Sequence, residues 1–303
     1  LVFTNPIRNV GDLFRDGWRG SYGLNVSGGG DAAQYYLGGD FEREEGVYSV
    51  NHLRKTNLRA NITAQPRSDV TLAFNSGYTS SRLRLPQNDN NLFGAISGAL
   101  IGKAFDCGPT LPRDASCGSD TSSRGFRTAN YPGTRFYQID TRQDVEHFIG
   151  SGNGTWQLRN WLTLIGTAGY DLVDRYDNET VPAIAVPAFI PTGSRESNRA
   201  QIRTYTGNGS AIGTFQLRPT LKAVTTLGSQ WNREIFQRTD AYGETLLPGT
   251  SSLGGTSTQF SVDESSSDIV TIGGILQQRL EWRERMFLSL AVRADKNSNF
   301  GVN

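Results

Sequence analysis

Residues 160–175 read NWLTLIGTAGYDLVDR, and their spacing decides the fold. After Trp161, the residues Leu162, Leu164, Gly166, Ala168, Tyr170 and Leu172 fall on every second position. Thr163, Thr167, Gly169 and Asp171 lie between them, with Ile165 the one large apolar residue of that set. Side chains of a strand alternate between faces, so the segment has one apolar wall and one small or polar wall. Strands of globular proteins usually run about 5–6 residues, and this pattern lasts more than twice as long. A long strand with a single greasy face points to a membrane β-barrel, whose strands alternate lipid-facing and interior residues.

The same alternation recurs outward from this stretch. Tyr22, Leu24 and Val26 share a face, Gly28 to Asp31 form a turn, and Tyr35, Leu37, Gly39 and Phe41 continue the apolar side. In the next hairpin Leu58, Ala60, Ile62 and Ala64 face one way, while Asn57, Arg59, Asn61, Thr63 and Gln65 face the other. An arginine in mid-strand is costly against lipid, so Asn57, Arg59, Asn61 and Thr63 are expected to face a watery lumen. Leu162, Leu164, Ala168 and Tyr170 are expected to face lipid, with Leu164 near mid-membrane. Further hairpins turn at Arg159-Asn160, at Arg218-Pro219-Thr220 and over 282–285. The connections between hairpins are long, over 83–142, 177–198 and 237–268. About ten antiparallel up-and-down strands result, part of a larger barrel, with short periplasmic turns and long extracellular loops.

Residues 1–20 show no alternation and read as an extracellular loop, with a helical turn near Val10 to Phe14. Residues 44–51 read as a short polar link. In the 83–142 loop, Phe93, Ile96, Leu100 and Ala104 recur at helical spacing, which predicts a short buried helix over 92–104. Polar and aromatic residues of this loop, Asn88, Asp89, Asn90, Arg124, Phe126, Arg127 and Tyr131, are candidate ligand contacts, because long loops carry function. Cys107 and Cys117 lie ten apart in a Gly/Pro/Ser-rich part of it, and a loop-closing disulfide is the preferred reading over two free thiols. That spacing does not suit a metal site.

Aromatic residues bracket the tight turns: Trp156, Trp161, Phe215, Trp282 and Phe287 mark a periplasmic girdle, and Tyr78, Tyr176 and Trp231 lie toward the other rim. Net charge is +1 with no charged block, which argues against nucleic acid. The mean hydropathy of −0.44 leaves no apolar run long enough for a membrane helix, yet a barrel strand needs only alternate apolar positions. With 35 glycines and one methionine, the composition suits a turn-rich all-β chain. Two histidines and no Ser/His/Asp arrangement give no material for an enzyme, and no cofactor is implied. The glycines at 150, 152 and 154 lack the Lys-Ser/Thr of a phosphate loop, and the Asn-x-Ser/Thr sites at 61, 153, 178 and 208 read as chance.

Four segments carry a family resemblance: SYGLNVSGGGDAAQYYLGGDFEREEGV (21–47), HLRKTNLRANITAQPRSDVTL (52–72), WLTLIGTAGYD (161–171) and MFLSLAVRADKNSNFG (286–301). In this order they resemble consecutive barrel segments of TonB-dependent outer-membrane receptors of the SusC/RagA-like group. The resemblance implies a barrel fragment in which plug domain and remaining strands are absent, located in a Gram-negative outer membrane. It further implies active import of a glycan, peptide or metal chelate, with the inner-membrane TonB complex and a SusD-like surface lipoprotein as partners. A passive outer-membrane pore and a soluble β-rich adhesin remain open as alternatives.

Overall fold

In a computed structural model the described residues, 14–87, 94–100, 139–183 and 192–300, form one sheet of ten strands. The strands are β1 (Trp18–Gly29), β2 (Ala33–Glu45), β3 (His52–Arg67), β4 (Val70–Leu85), β5 (Asp140–Arg159), β6 (Leu162–Val181), β7 (Ser194–Arg218), β8 (Leu221–Leu246), β9 (Thr256–Trp282) and β10 (Met286–Asn297). They pair in sequence order, each antiparallel to the next. The up-and-down meander foreseen from the alternation is thus the observed architecture.

Short turns close every hairpin at one end of the sheet. Gly29 reaches its turn with φ of 135°, a conformation open to glycine. Arg283 and Glu284 take positive φ of 51° and 57° to join β9 to β10. Register shifts sit just inside the β3–β4, β5–β6 and β7–β8 turns, where a bulge increases local twist.

No second layer covers the sheet among the described residues. The accessible surface is 19413 Å² for 33.2 kDa, against about 12,600 Å² for a compact soluble protein of that mass. Large apolar side chains along the strands stay open: Leu24 is 76 % exposed, Phe74 55 % and Val292 71 %. Of the buried apolar residues, Tyr48, Val50, Ile139, Val181 and Leu246 collect at the long-connection end, and Ala223 sits near the short-turn end. A single sheet with an uncovered apolar face is stable only where something other than water meets that face.

Several elements differ from the sequence reading. β1 starts at Trp18, before its alternation begins, and Phe14 forms an isolated bridge to Tyr48 with rings 5.2 Å apart. The 46–51 link therefore carries a buried Tyr48 and Val50 and is not merely polar. β8 and β9 consume most of the expected 237–268 loop, leaving 247–255 with a 3₁₀ turn at Leu253–Gly255. Likewise β6 and β7 run to Val181 and from Ser194. The single α-helix among the described residues, α1, is Ala95–Leu100, with Ile96 and Leu100 exposed rather than buried, and residues 92–93 and 101–104 of the expected helix lie outside the described residues. Gly94 precedes it without helical structure, and glycine costs about 1 kcal/mol within a helix.

Candidate functional site: the polar face of the sheet

Cross-strand partners share a face, so the register sorts every strand residue onto one of two surfaces. One ladder row runs Gly23, Asp40, Asn57, Thr79, His147, Val173. A row two residues nearer the turns runs Asn25, Gly38, Arg59, Gly77, Ile149, Asp171, and the next contains Tyr36, Asn61, Asn75 and Ser151. This surface is polar over most of its extent.

Its side chains bond to each other across strands. Asn57 donates to Asp40 at 2.6 Å and accepts from Thr79 at 2.8 Å. His147 Nε2 lies 3.1 Å from Asp171 Oδ1, and Thr167 donates to Asn153 at 2.9 Å. Farther round, Arg293 donates to Gln230 at 2.9 Å and binds Asp295 through both carboxylate oxygens at 2.9 and 2.8 Å. Such a ladder holds polar groups in fixed positions without a covering layer.

A depression of about 710 Å³ opens on this face over β1 to β5. Asp40, Lys55, Asn57, Arg59, Asn61, Asn75, Thr79, His147 and the ring of Tyr36 line it. Arg59 stands between Gly38 and Gly77 on the neighbouring strands, so no side chain flanks it there. A Cβ at Gly38 would meet the Tyr36 hydroxyl at 2.8 Å, which places that ring over the glycine and beside Arg59. Among the described residues Lys55 and Arg59 make no ion pair. The depression thus offers two cations, one carboxylate engaged by Asn57, several amides and an aromatic ring, a set suited to a polar ligand with an acidic group near Arg59.

The opposite surface is apolar. Phe148, Tyr170, Tyr205 and Trp231 touch in succession across β5 to β8, with ring centroids 6.3, 5.0 and 6.5 Å apart. At the short-turn end Trp161 packs on Phe215 at 5.3 Å, and the Trp156 indole donates to Asp69 at 3.1 Å. Two aromatic lines therefore bound an apolar belt, the pattern of barrels in lipid. Tyr176 is not in the upper line. Its hydroxyl accepts from Arg195 and Ser197 at 3.2 and 3.0 Å, beyond the belt.

Of the residues singled out from sequence, Asn57, Arg59, Asn61 and Thr63 alternate on the polar surface, and the first three line the depression. Leu162, Leu164, Ala168 and Tyr170 lie on the apolar one. Leu164 borders a hollow of about 520 Å³ floored by Gly154 and Gly166, only two residues from the start of β6. Asn88, Asp89, Asn90, Arg124, Phe126, Arg127, Tyr131, Cys107 and Cys117 lie outside the described residues. Tyr36, Lys55 and His147 join the site without having been foreseen, since only the strand pairing brings them together. Among the described residues no group of three or more His, Cys, Asp or Glu could hold a metal.

The comparisons with solved structures fit this geometry. The RagAB peptide transporter superposes with a TM-score of 0.75 over 99 % of this chain and 34 % of its own, at 14 % identity. The outer-membrane transporter YddB from Escherichia coli gives 0.55 over 98 % of this chain and 37 % of its own, at 11 % identity. The ferric preacinetobactin receptor BauA from Acinetobacter baumannii gives 0.54 over 93 % and 41 %, at 10 % identity. The fold is that of a segment of such a transporter's β-barrel, an open sheet of ten strands. This chain spans about a third of the length of the RagAB component it matches. No family model and no curated protein sequence matches it.

Proposed function

We propose that this chain is wall and surface-loop material of a TonB-dependent importer in a Gram-negative outer membrane. The observation that carries the proposal is the two-faced single sheet, apolar on one side and hydrogen-bonded polar on the other, with a transporter barrel's topology. In this reading Leu162, Leu164, Ala168 and Tyr170 meet lipid, and Asn57, Arg59, Asn61 and Thr63 meet the passage. The depression around Arg59 is where the wall contacts cargo on its way through, and the connection between β4 and β5 gathers cargo outside. A plug supplied elsewhere in the assembly links the barrel to the inner-membrane energy source, and a surface lipoprotein of the SusD type covers the mouth. Among cargo classes, peptides suit the amide-and-cation lining, since a peptide offers backbone groups to the asparagines and a carboxylate to Arg59.

Accumulation of a labelled oligopeptide pool by cells carrying the full-length protein, with and without a protonophore, tests this directly. Energised import predicts accumulation that the protonophore abolishes. Uptake indifferent to the protonophore would instead mark a passive pore, and none at all would remove peptides from the cargo.

A further inference from the structure

The charged groups just above the apolar belt are unevenly balanced. On β6 to β9 Arg199 grips Asp174 at 3.0 and 2.5 Å and Arg233 grips Asp268 at 3.0 and 2.6 Å, while Arg203 and Arg195 are held by neutral groups, Gln237 for the first and Asn178 and Thr180 for the second. On β2 to β5 the pattern breaks. Arg43, Arg54 and Arg82 are ladder partners in one row, on the same surface as Leu58 and Tyr78. Arg43 binds Glu45 at 2.6 Å, but Glu45 also serves Arg15 at 3.3 Å. One row higher, Arg84 and Arg142 share Asp140 at 2.9 and 2.7 Å. Arg54 and Arg82 are both exposed and make no ion pair among the described residues. Asp144, across the ladder from Arg82, forms none with it, and Glu146 is taken up by Tyr78 and Ser80.

Like charges directly opposite on a sheet destabilise it, so an anion seated between Arg54 and Arg82 would relieve a repulsion that no ion pair among the described residues offsets. Height identifies the kind of anion. Arg54 lies ten residues from Ala64, near the β3–β4 turn, which at about 3.3 Å per residue and about 40° tilt is about 25 Å, the height of a barrel's apolar band. Arg82 is four residues beyond Tyr78 on β4. Both guanidinium groups therefore point sideways from the outer surface into the headgroup layer, where a diffusing solute is scarce and lipid phosphates are dense. Just above them, burial and the field of Arg84, Arg54 and Arg142 hold the His52 imidazole below its ordinary range, in keeping with a positive local potential.

We infer that Arg54 and Arg82, with Arg43 beside them, form a binding site for the phosphate of an anionic outer-leaflet lipid. The inference rests on the proposed outward orientation of the apolar face. A phosphate seated between two adjacent arginines receives paired charge-assisted hydrogen bonds from each, and its own tail lies along Leu58, Tyr78 and Phe148 below.

Native mass spectrometry of the full-length protein, with phosphatidylglycerol or phosphatidylcholine added to the detergent, reads the site. Wild type is expected to retain phosphatidylglycerol in preference, and R54Q/R82Q to lose that preference by about tenfold or more, with two surface arginines removed. R199Q, whose arginine is already matched by Asp174, should retain it. R54K/R82K, which keeps the charge, should retain part of it and guards against a folding artefact. Equal retention by wild type and R54Q/R82Q overturns the site, and so does displacement of the lipid by excess inorganic phosphate. Quenching of tryptophan emission by brominated acyl chains in the same samples separates the two claims. Normal quenching with no headgroup preference refutes this site alone, whereas absent quenching refutes the outward orientation beneath it.

Discussion

The Trp156 indole donates to the Asp69 carboxylate at 3.1 Å, and the Gln157 amide donates to the Asp69 carbonyl at 2.8 Å. A side chain near the end of β5 thereby fastens the β3–β4 turn, so adjacent hairpins are joined where each would otherwise fray. Arg67 adds bonds of 2.9 and 2.8 Å to the same carboxylate. Partial burial works against ionisation of Asp69, but the bonds from Trp156, its own backbone and Arg67 outweigh it and hold the carboxyl below the usual range. A depressed carboxylate stabilises the fold above its unfolded pKa and loses that contribution as pH falls through the folded value. Acidification below about pH 4 should therefore loosen this turn. Asp69→Asn should remove the acid transition from Trp156 fluorescence, and an unchanged transition would assign it elsewhere.

Depth along β6 sets the cost of charge. Leu164 is two residues from the start of the strand at Leu162 and Ala168 is six residues in, so the proposed orientation puts Leu164 near the rim and Ala168 nearer mid-membrane. Ala168→Arg should cost about 2–4 kcal/mol, and Leu164→Arg about 0–1 kcal/mol. Thr163→Arg, on the polar face, should be the mildest of the three. Urea titration in lipid vesicles gives the order.

Tyr242 tests the part of the sheet that the proposed orientation places above the membrane. It lies 21 residues beyond Leu221, about twice the length that crosses a bilayer. Burial first, and then its hydrogen bond to Glu244 at 2.7 Å, push its phenol up to about 12. A raised tyrosine pKa contributes stability that is whole below the unfolded value of 10.0 and is lost as pH rises toward about 12. The tyrosinate absorbance titration should show one late component that Tyr242→Phe removes.

Gly38→Val probes the polar depression without breaking the sheet. The new Cβ would displace the Tyr36 ring, which can swing by its outer end. Heat-modified mobility on gels should be unchanged while import falls. Arg59→Glu should lower import of acidic cargo more than of basic cargo, and equal loss of both would argue against a charge-reading role.

How far the sequence could be read follows from what each segment contacts. From Leu162 to Leu172 one surface is apolar and the other polar, so the pleat writes itself into the spelling. Above the belt both surfaces of β8 and β9 carry polar residues, alternation fades, and pairing is accompanied by contacts such as Arg233 with Asp268. Those strand ends read as loop. Trp18 to Gly20 were missed for a similar reason, since Asp16-Gly17 imitates a turn. The depression was half legible: Asn57 and Arg59 betray their face by period two, but His147 and Tyr36 reach it only through register across strands far apart in the chain.

The most direct test of the central claim is nitroxide accessibility along β6, with a spin label at each position from Leu162 to Leu172 in the full-length protein in lipid vesicles. Oxygen, which partitions into hydrocarbon, should collide most at Leu164, Ala168 and Tyr170. A water-soluble nickel chelate should collide most at Thr163, Thr167 and Asp171, giving two profiles of period two in opposite phase. Profiles in phase, or both reagents excluded from the apolar positions by packed protein, would contradict a sheet that separates lipid from a watery passage.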